Sequence, residues 1–242
     1  ICALGLNGPL VPPVGEEAHY TVSVSNSGNS IQSNYQVKLM GPDDTELAIV
    51  SGTPINSGSS VDVVIPWTPM TAGQFAIYAK VILSGDQPAD ANDQTKPLKV
   101  DVLPEGAHAV SIGSGYRTDY MPMNFRHVNT LCQTVYLAEE LGFVTGTINS
   151  MMVYNSFAYG LIKPTQIFMA STYQNLDAGM MSAYDMTLVY NGLIEYPEGE
   201  NNIMINLQTP YQHTGGNLVV MFFRPYDPDR YFGDLHFRGQ IE

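Results

Sequence analysis

The run from Leu98 to Ser111, LKVDVLPEGAHAVS, constrains this chain more than any other stretch. Val100, Val102 and Leu103 close a series of apolar residues at every second position, the period of a strand with one buried face. Pro104-Glu105-Gly106 then breaks the pattern, because proline donates nothing to a sheet ladder and glycine tolerates positive φ. Alternation resumes with Val110 and Ile112. Strand patterns on both sides of so short a breaker predict two β domains on a stiff joint, residues 1–103 and 107–242. A chain of 242 residues has room for both. Domains of ~100–150 residues bury a core without metal or disulfide staples.

In the first half, Tyr20, Val22 and Val24 alternate with Thr21, Ser23 and Ser25, and Asn26-Ser27-Gly28-Asn29-Ser30 makes a turn. Tyr35, Val37 and Leu39 follow, then the short run Leu47 to Val50, then Val61, Val63 and Ile65 leading to Trp67, the only tryptophan. Phe75, Ile77, Ala79 and Val81 alternate again, and Leu98 to Val102 ends the set. About seven short strands with no helical period predict an immunoglobulin-like or fibronectin-like sandwich with Trp67 in its core.

Three segments, VGEEAHYTVSVSNSGN, IPWTPMTAGQFAIYAKV and DQPADANDQT, together resemble the bacterial cell-adhesion-related domain known as CARDB. That family has a Val-Gly-Glu entry, a strand ending in Asn-x-Gly, a Trp-x-Pro before a Gly and an aromatic residue, and an Asn/Asp-rich final hairpin. The hairpin usually carries a Glu and paired Asn; Asp90, Asn92 and Asp93 stand there in this chain. The resemblance covers nearly all of residues 1–103 and implies an all-β, extracellular module.

Beyond Ala107 the strands lengthen and grow richer in Tyr, Phe and Met. Val144 to Tyr154, Thr165 to Tyr173, Met186 to Tyr190, Ile203 to Leu207 and Leu218 to Phe223 read as strands. Gly146, Asn191-Gly192, Gly199 and Gly215-Gly216 punctuate them. Leu131 to Leu137 alternates, although Leu131, Val135 and Ala138 also fit a helix, and Glu139 to Gly142 reads as the turn after it. The expectation is a larger sandwich of jelly-roll type. LVYNGLIEYPEGENNIMINLQTPYQHTGGNLVVMFF resembles the β-sandwich modules of large surface and secreted proteins of Gram-negative anaerobes. The segment after Arg224 carries no readable pattern.

The charge balance is lopsided. Ten Lys and Arg against 23 Asp and Glu give −13, which excludes nucleic acid as a partner because phosphate binding needs a basic footprint. The acids are scattered, as solubility in a secreted protein requires. The longest apolar runs, such as Leu218 to Phe223, are too short to span a bilayer. The chain opens on Ile1 with no charged segment leading an apolar one, as expected of a mature or excised portion of something longer. Cys2 and Cys132 flank the joint. They read either as a bridge clamping the two domains or as buried free thiols.

Candidate chemistry is sparse. His19, His108, His127, His213 and His236 are widely separated, with no H-x-x-x-H or H-x-H pair for zinc. Gly113-Ser114-Gly115 lacks a phosphate fingerprint and reads as a turn, and Ser114 has no elbow motif. Glu139 and Glu140, or Asp177 and Asp185, are the only carboxylates to weigh as a glycosidase pair, and each reads as a turn residue. No cofactor is expected. Calcium has a better candidate than zinc: Asp86, Asp90, Asn92 and Asp93 concentrate oxygen ligands in one loop, but an Asx-rich hairpin explains them without metal.

Arg224, Tyr226, Arg230, Tyr231 and Phe232 form the second candidate site. They either stack on sugars or anchor a protein partner, or else close the end of the sandwich, which is the preferred reading. The expected role is a non-catalytic structural or adhesive segment at the cell surface. Its partners would be copies of itself or neighbouring modules, with the apolar Ile1 to Leu6 either donated to a neighbour or paired within its own domain. The competing reading is a polysaccharide-binding accessory module of a secreted hydrolase, and an enzyme on the second domain comes third.

Overall fold

The computed structural model describes residues 1–83, 93–112, 117–174 and 179–239. The chain divides into two compact units, Ile1–Ala109 and Val110–Glu242. Both are antiparallel β-sandwiches, so the fold is all-β. Among the described residues no helix is long and apolar enough to cross a membrane.

Among the described residues the first unit has seven strands: β1 (Cys2–Asn7), β2 (Ala18–Ser25), β3 (Tyr35–Met40), β4 (Glu46–Ser51), β5 (Ser60–Trp67), β6 (Gly73–Leu83) and β7 (Leu98–Val102). They make one sheet in the order β1-β2-β5 and another in the order β4-β3-β6-β7. Period-two patterning decides which face is buried. On β2, Ala18, Tyr20, Val22 and Val24 are buried while His19 is exposed. Trp67 lies in the core against Tyr20 and Phe75, with ring centroids 6.0 and 6.3 Å away. Burial pushes the Tyr20 phenol up to about 12, and its hydroxyl donates to the Pro9 carbonyl at 2.9 Å. Gly8 admits that ring: a Cβ there would lie 2.3 Å from it.

The N-terminal segment pairs within its own unit. β1 runs antiparallel to β2 from Cys2↔Ser25 to Asn7↔Thr21, with Ala3 and Leu6 buried. The chain then crosses to the other sheet, where Leu10 and Pro12 accept hydrogen bonds from Asp101 and Leu103 at 2.8 and 2.9 Å. Val14 donates back to Leu103 at 3.0 Å, and Pro13 and Leu103 form a parallel bridge. This covers the otherwise open edge of β7.

Among the described residues the second unit has eight strands: β8 (Arg117–Asp119), β9 (Thr130–Tyr136), β10 (Gly146–Phe157), β11 (Leu161–Thr172), β12 (Thr187–Tyr196), β13 (Gly199–His213), β14 (Asn217–Arg224) and β15 (Leu235–Gly239). One sheet has the order β13-β10-β15-β8 and the other β12-β11-β14-β9. The pairs are nested: β8 with β15, β9 with β14, β10 with β13, β11 with β12. A long hairpin rolled up in this way is the jelly-roll arrangement. Phe125, Phe157, Tyr196 and Phe237 form its aromatic centre, with ring centroids from 5.2 to 6.3 Å apart.

Several elements depart from the sequence pattern. Val110 and Ile112 are not in a strand, since Ala107–Ile112 follows the Pro104-Gly106 turn as irregular chain. β9 is a strand rather than a helix, and Glu139-Glu140 sits in a single helical turn, α1 (Ala138–Leu141), not in a turn between strands. Asn191-Gly192 does not punctuate β12 but lies inside it, paired with Gln166 and Thr165. β8 and β15 pair with each other at the edge of the sheet, where the sequence showed no strand.

Candidate functional site

The stretch after β14 closes one end of the second sandwich. Arg224, the last residue of β14, is completely buried, and its guanidinium faces the Phe125 ring at 5.4 Å. Its Nη1 donates to Asp227 Oδ2 at 3.3 Å and its Nη2 to the His127 carbonyl. The same Oδ2 accepts from Lys163 Nζ of β11 at 2.7 Å. Lys163 also hydrogen-bonds the Tyr231 hydroxyl and sits 4.0 Å from the centre of that ring. Asp227 is further fixed by its own backbone N–H on Val128 O at 2.7 Å and by an Asx turn to the Asp229 N–H at 3.0 Å. Tyr231 N–H donates to Phe125 O at 3.0 Å, and Tyr159 donates to Phe232 O at 2.9 Å.

Electrostatics follows from this geometry. The hydrogen bond from Lys163 holds the Asp227 carboxyl below the usual range despite the opposing effect of burial. Burial pulls the Lys163 amine down, but its bonds to Asp227 and Tyr231 outweigh that and leave it raised. Both groups stay charged at neutral pH, so neither is tuned to pass a proton there. The cluster is a tie that locks the loop onto the sandwich.

The five residues proposed from sequence therefore divide. Arg224 and Tyr231 are engaged in closure, which takes the Arg224 guanidinium out of a ligand's reach. Tyr226 and Phe232 are 72% and 67% exposed, and Arg230 is exposed. Asp86, Asp90 and Asn92 lie outside the described residues, as do Gly113 to Gly115 and Asp177. Asp93 is described, and its carbonyl accepts from Val81 N–H at 2.8 Å. Among the described residues no three His, Cys, Asp or Glu side chains gather as a metal site would require. Cys2 on β1 and Cys132 on β9 belong to different units, and burial pushes the Cys132 thiol up.

One polar cluster has no sequence signature. Ser171 Oγ of β11 lies 2.9 Å from His213 Nδ1 and 2.9 Å from the Tyr211 hydroxyl, both on β13, and accepts from Thr214 N–H at 3.1 Å. A serine beside a histidine suggests a nucleophile, but a nucleophile must meet substrate. His213 is fully buried under Phe143, and Ser171 is already engaged by three groups. Next to it, Glu139, Phe143, Tyr173 and Gly216 help line a cleft of about 450 Å³. Glu140 is spent on the Leu137 N–H at 2.7 Å, so the adjacent glutamates do not act together.

Burial holds the His213 imidazole below its ordinary value. The unfolded chain takes up that proton near the reference value of about 6.5, whereas the folded unit resists it. Stability should therefore be level above about pH 6.5 and decline as the pH drops below it. Asp227 has the opposite assignment of charge, and its contribution is lost only as the pH falls below the ordinary carboxylate value of about 3.9. Melting His213→Phe between pH 8 and 5 reads the first effect: the wild type should decline in acid and the variant should stay level. An equal slope in both would remove His213 as the cause.

No protein-family model matches the chain, and no curated protein matches it. Among solved structures, a CARDB domain from Pyrococcus furiosus, described as a complex with di-metal ions, is 22% identical with a TM-score of 0.36. The match covers 43% of this chain and 93% of that one. A domain of a protein described as a cell surface protein of Methanosarcina acetivorans is 20% identical over 46% of this chain and 97% of its own, with a TM-score of 0.34. The secreted serine protease VesC of Vibrio cholerae matches 98% of this chain and 50% of its own at 10% identity and a TM-score of 0.24. Likenesses this distant assign no activity to the chain.

Proposed function

We propose that the chain is a non-catalytic extracellular segment of a modular bacterial surface protein, serving as a structural or adhesive unit that associates with copies of itself or with neighbouring modules. One observation carries the reading: the groups best suited to chemistry are consumed in holding the fold. Lys163, Asp227 and Arg224 tie down the end loop, and Ser171 Oγ is held by His213 Nδ1 and the Tyr211 hydroxyl, with His213 buried against Phe143. Light scattering across a concentration series, with electron microscopy of the same samples, tests it. Mass should rise with concentration, and deleting residues 1–6 should abolish the rise, because an exchanged β1 would take the place of a copy's own on β2. A monomer at every concentration rejects self-association.

A second reading is a polysaccharide-binding accessory module, favoured by the exposed Tyr226, Arg230 and Phe232 on the closed end. A glycan array of the wild type against Tyr226→Ala and Phe232→Ala separates the two. The domain division is itself a proposal: residues 1–103 expressed alone should melt cooperatively, and a broad, non-cooperative transition would refute the boundary. Calcium at Asp86, Asp90, Asn92 and Asp93 would raise that fragment's melting temperature. Peptide mapping without reductant reads a Cys2–Cys132 bridge.

A further inference from the structure

The β13-β10-β15-β8 sheet turns one face away from the core, and strand register arranges that face into two neighbouring transverse rows. Tyr154 of β10 pairs with Asn202 of β13, and the Arg238 guanidinium of β15 lies 3.8 Å over the Tyr154 ring. One step along, Ser156 pairs with Glu200 and with His236, and His236 stacks on Tyr120 at a centroid distance of 4.7 Å. The intervening residues Asn155, Phe157, Ile203, Leu235 and Phe237 point inward and are buried. Arg126 adds a second guanidinium, 4.7 Å over the Tyr120 ring.

Of the described cations that lie over an aromatic ring, Arg126 and Arg238 are the two without a carboxylate partner. Lys38, Lys163 and Arg224 each hold a carboxylate within 4 Å, at 2.7, 2.7 and 3.3 Å. Arg126 and Arg238 are exposed and make no ion pair among the described residues. Yet the chain carries 23 acidic residues to 10 basic ones. Each guanidinium lies over a tyrosine ring and donates no hydrogen bond among the described residues, which leaves it free for planar recognition of a carboxylate or sulfate.

We propose that this face binds an acidic polysaccharide. The Arg238 and Arg126 guanidiniums take the sugar carboxylate or sulfate, while Asn202, Ser156 and Glu200 meet neighbouring hydroxyls. Shape supports a polymer: the longer row, from Glu200 to Tyr120, crosses three strand spacings, about 14 Å, on an open sheet, whereas small-molecule sites are concave. A protein partner would need apolar anchors in the middle of the patch. Here both ring faces are already covered by cations or imidazole. At physiological salt charges more than about 8 Å away are screened, so the acids that oppose the contact are those close to the rows, Glu200 among them.

The proposal stands beside the structural role and does not rest on it, because a spacer can also bind glycan. Affinity electrophoresis and calorimetry of the full chain against polygalacturonate, dextran sulfate and neutral dextran test it at about 0.15 M salt. At least one acidic polymer should bind and dextran should not, and the two acidic arms distinguish carboxylate from sulfate. The Arg126→Met/Arg238→Met double variant keeps the apolar stems and should bind about tenfold more weakly or worse. Lys99→Met, at an exposed position on β7 of the first unit, should bind as the wild type does, with thermal melts showing that all variants fold. Binding to neither acidic polymer, equal binding to dextran, or an unaffected double variant would overturn the proposal. Self-association, read separately by light scattering, is untouched by any of these outcomes.

Discussion

Replacing Asp227 by alanine is expected to destabilise the second unit by about 3 kcal/mol, the lower end for breaking a buried ion pair, because the cluster sits at the rim of the sandwich. Its severity comes from what stays behind. The Asp227 and Lys163 side chains are 11% and 12% exposed and that of Arg224 is fully buried. Without the carboxylate, two cations share a low-dielectric corner, and Arg224 keeps only its bond to the His127 carbonyl. Asp227→Asn should recover part of the loss, since its amide oxygen still accepts a hydrogen bond but carries no charge. Chemical denaturation of the three proteins at pH 7 checks the order wild type, Asn, Ala. A loss under about 1 kcal/mol for the alanine variant would show the triad to be a surface pair of little consequence.

Phe125→Ala is expected to cost more, about 4 kcal/mol, through the cavity it leaves. Phe125 is 1% exposed and packs on Phe157, Tyr196 and Phe237 at once, so no single neighbour can fill the gap. It also faces the Arg224 guanidinium, and its carbonyl accepts the Tyr231 N–H. The two substitutions should therefore not add: removing Phe125 already loosens the loop that Asp227 holds, giving a coupling of about 1 kcal/mol in a double-mutant cycle. Against a total stability of about 5–15 kcal/mol for a domain, the double variant sits near the limit of folding. Strict additivity would mean that the aromatic centre and the ion cluster are independent.

The first unit was far more legible in sequence than the second. Its strands have one wet and one dry face, so β2 and β5 alternate cleanly and Trp67 could be assigned to the core. In the second unit the strands ran on past their apparent ends. β13 extends from Gly199 to His213, but its outward Asn202, Asn206 and Gln208 look like loop residues, and Pro210 looks like a stop. Pro210 is tolerated because it falls where the β10–β13 register shifts, between the Ser150↔Asn206 and Ile148↔Tyr211 pairs. Pro164 similarly lies in the part of β11 that pairs with β12 but beyond the pairing with β14.

The end-loop site shows the same divide. Its own residues cluster in sequence from Arg224 to Phe232, so the loop could be found. Lys163, which decides what Asp227 does, lies 64 residues earlier and arrives only through the register of β11. Ser171 and His213 lie 42 residues apart and meet by the same route. The Arg238–Tyr154 stack needed β15, a strand of five residues in a segment with no readable alternation. Local chemistry was visible; partners supplied by long-range register were not.

The way each unit anchors its outermost segments also fixes how it would carry mechanical load. In the first unit, Leu10–Val14 lies parallel to β7 and is fastened by three hydrogen bonds. Tension drawn along these two segments in opposite directions shears that patch, so all three bonds must fail together. In the second unit the outermost strands are antiparallel neighbours, with Arg117 at the start of β8 opposite Gly239 at the end of β15. Tension there enters and leaves at the same end of the pair and opens it one rung at a time, like a zip. Under stretch the Leu10–Val14 patch resists by shear, whereas the β8–β15 pair opens rung by rung.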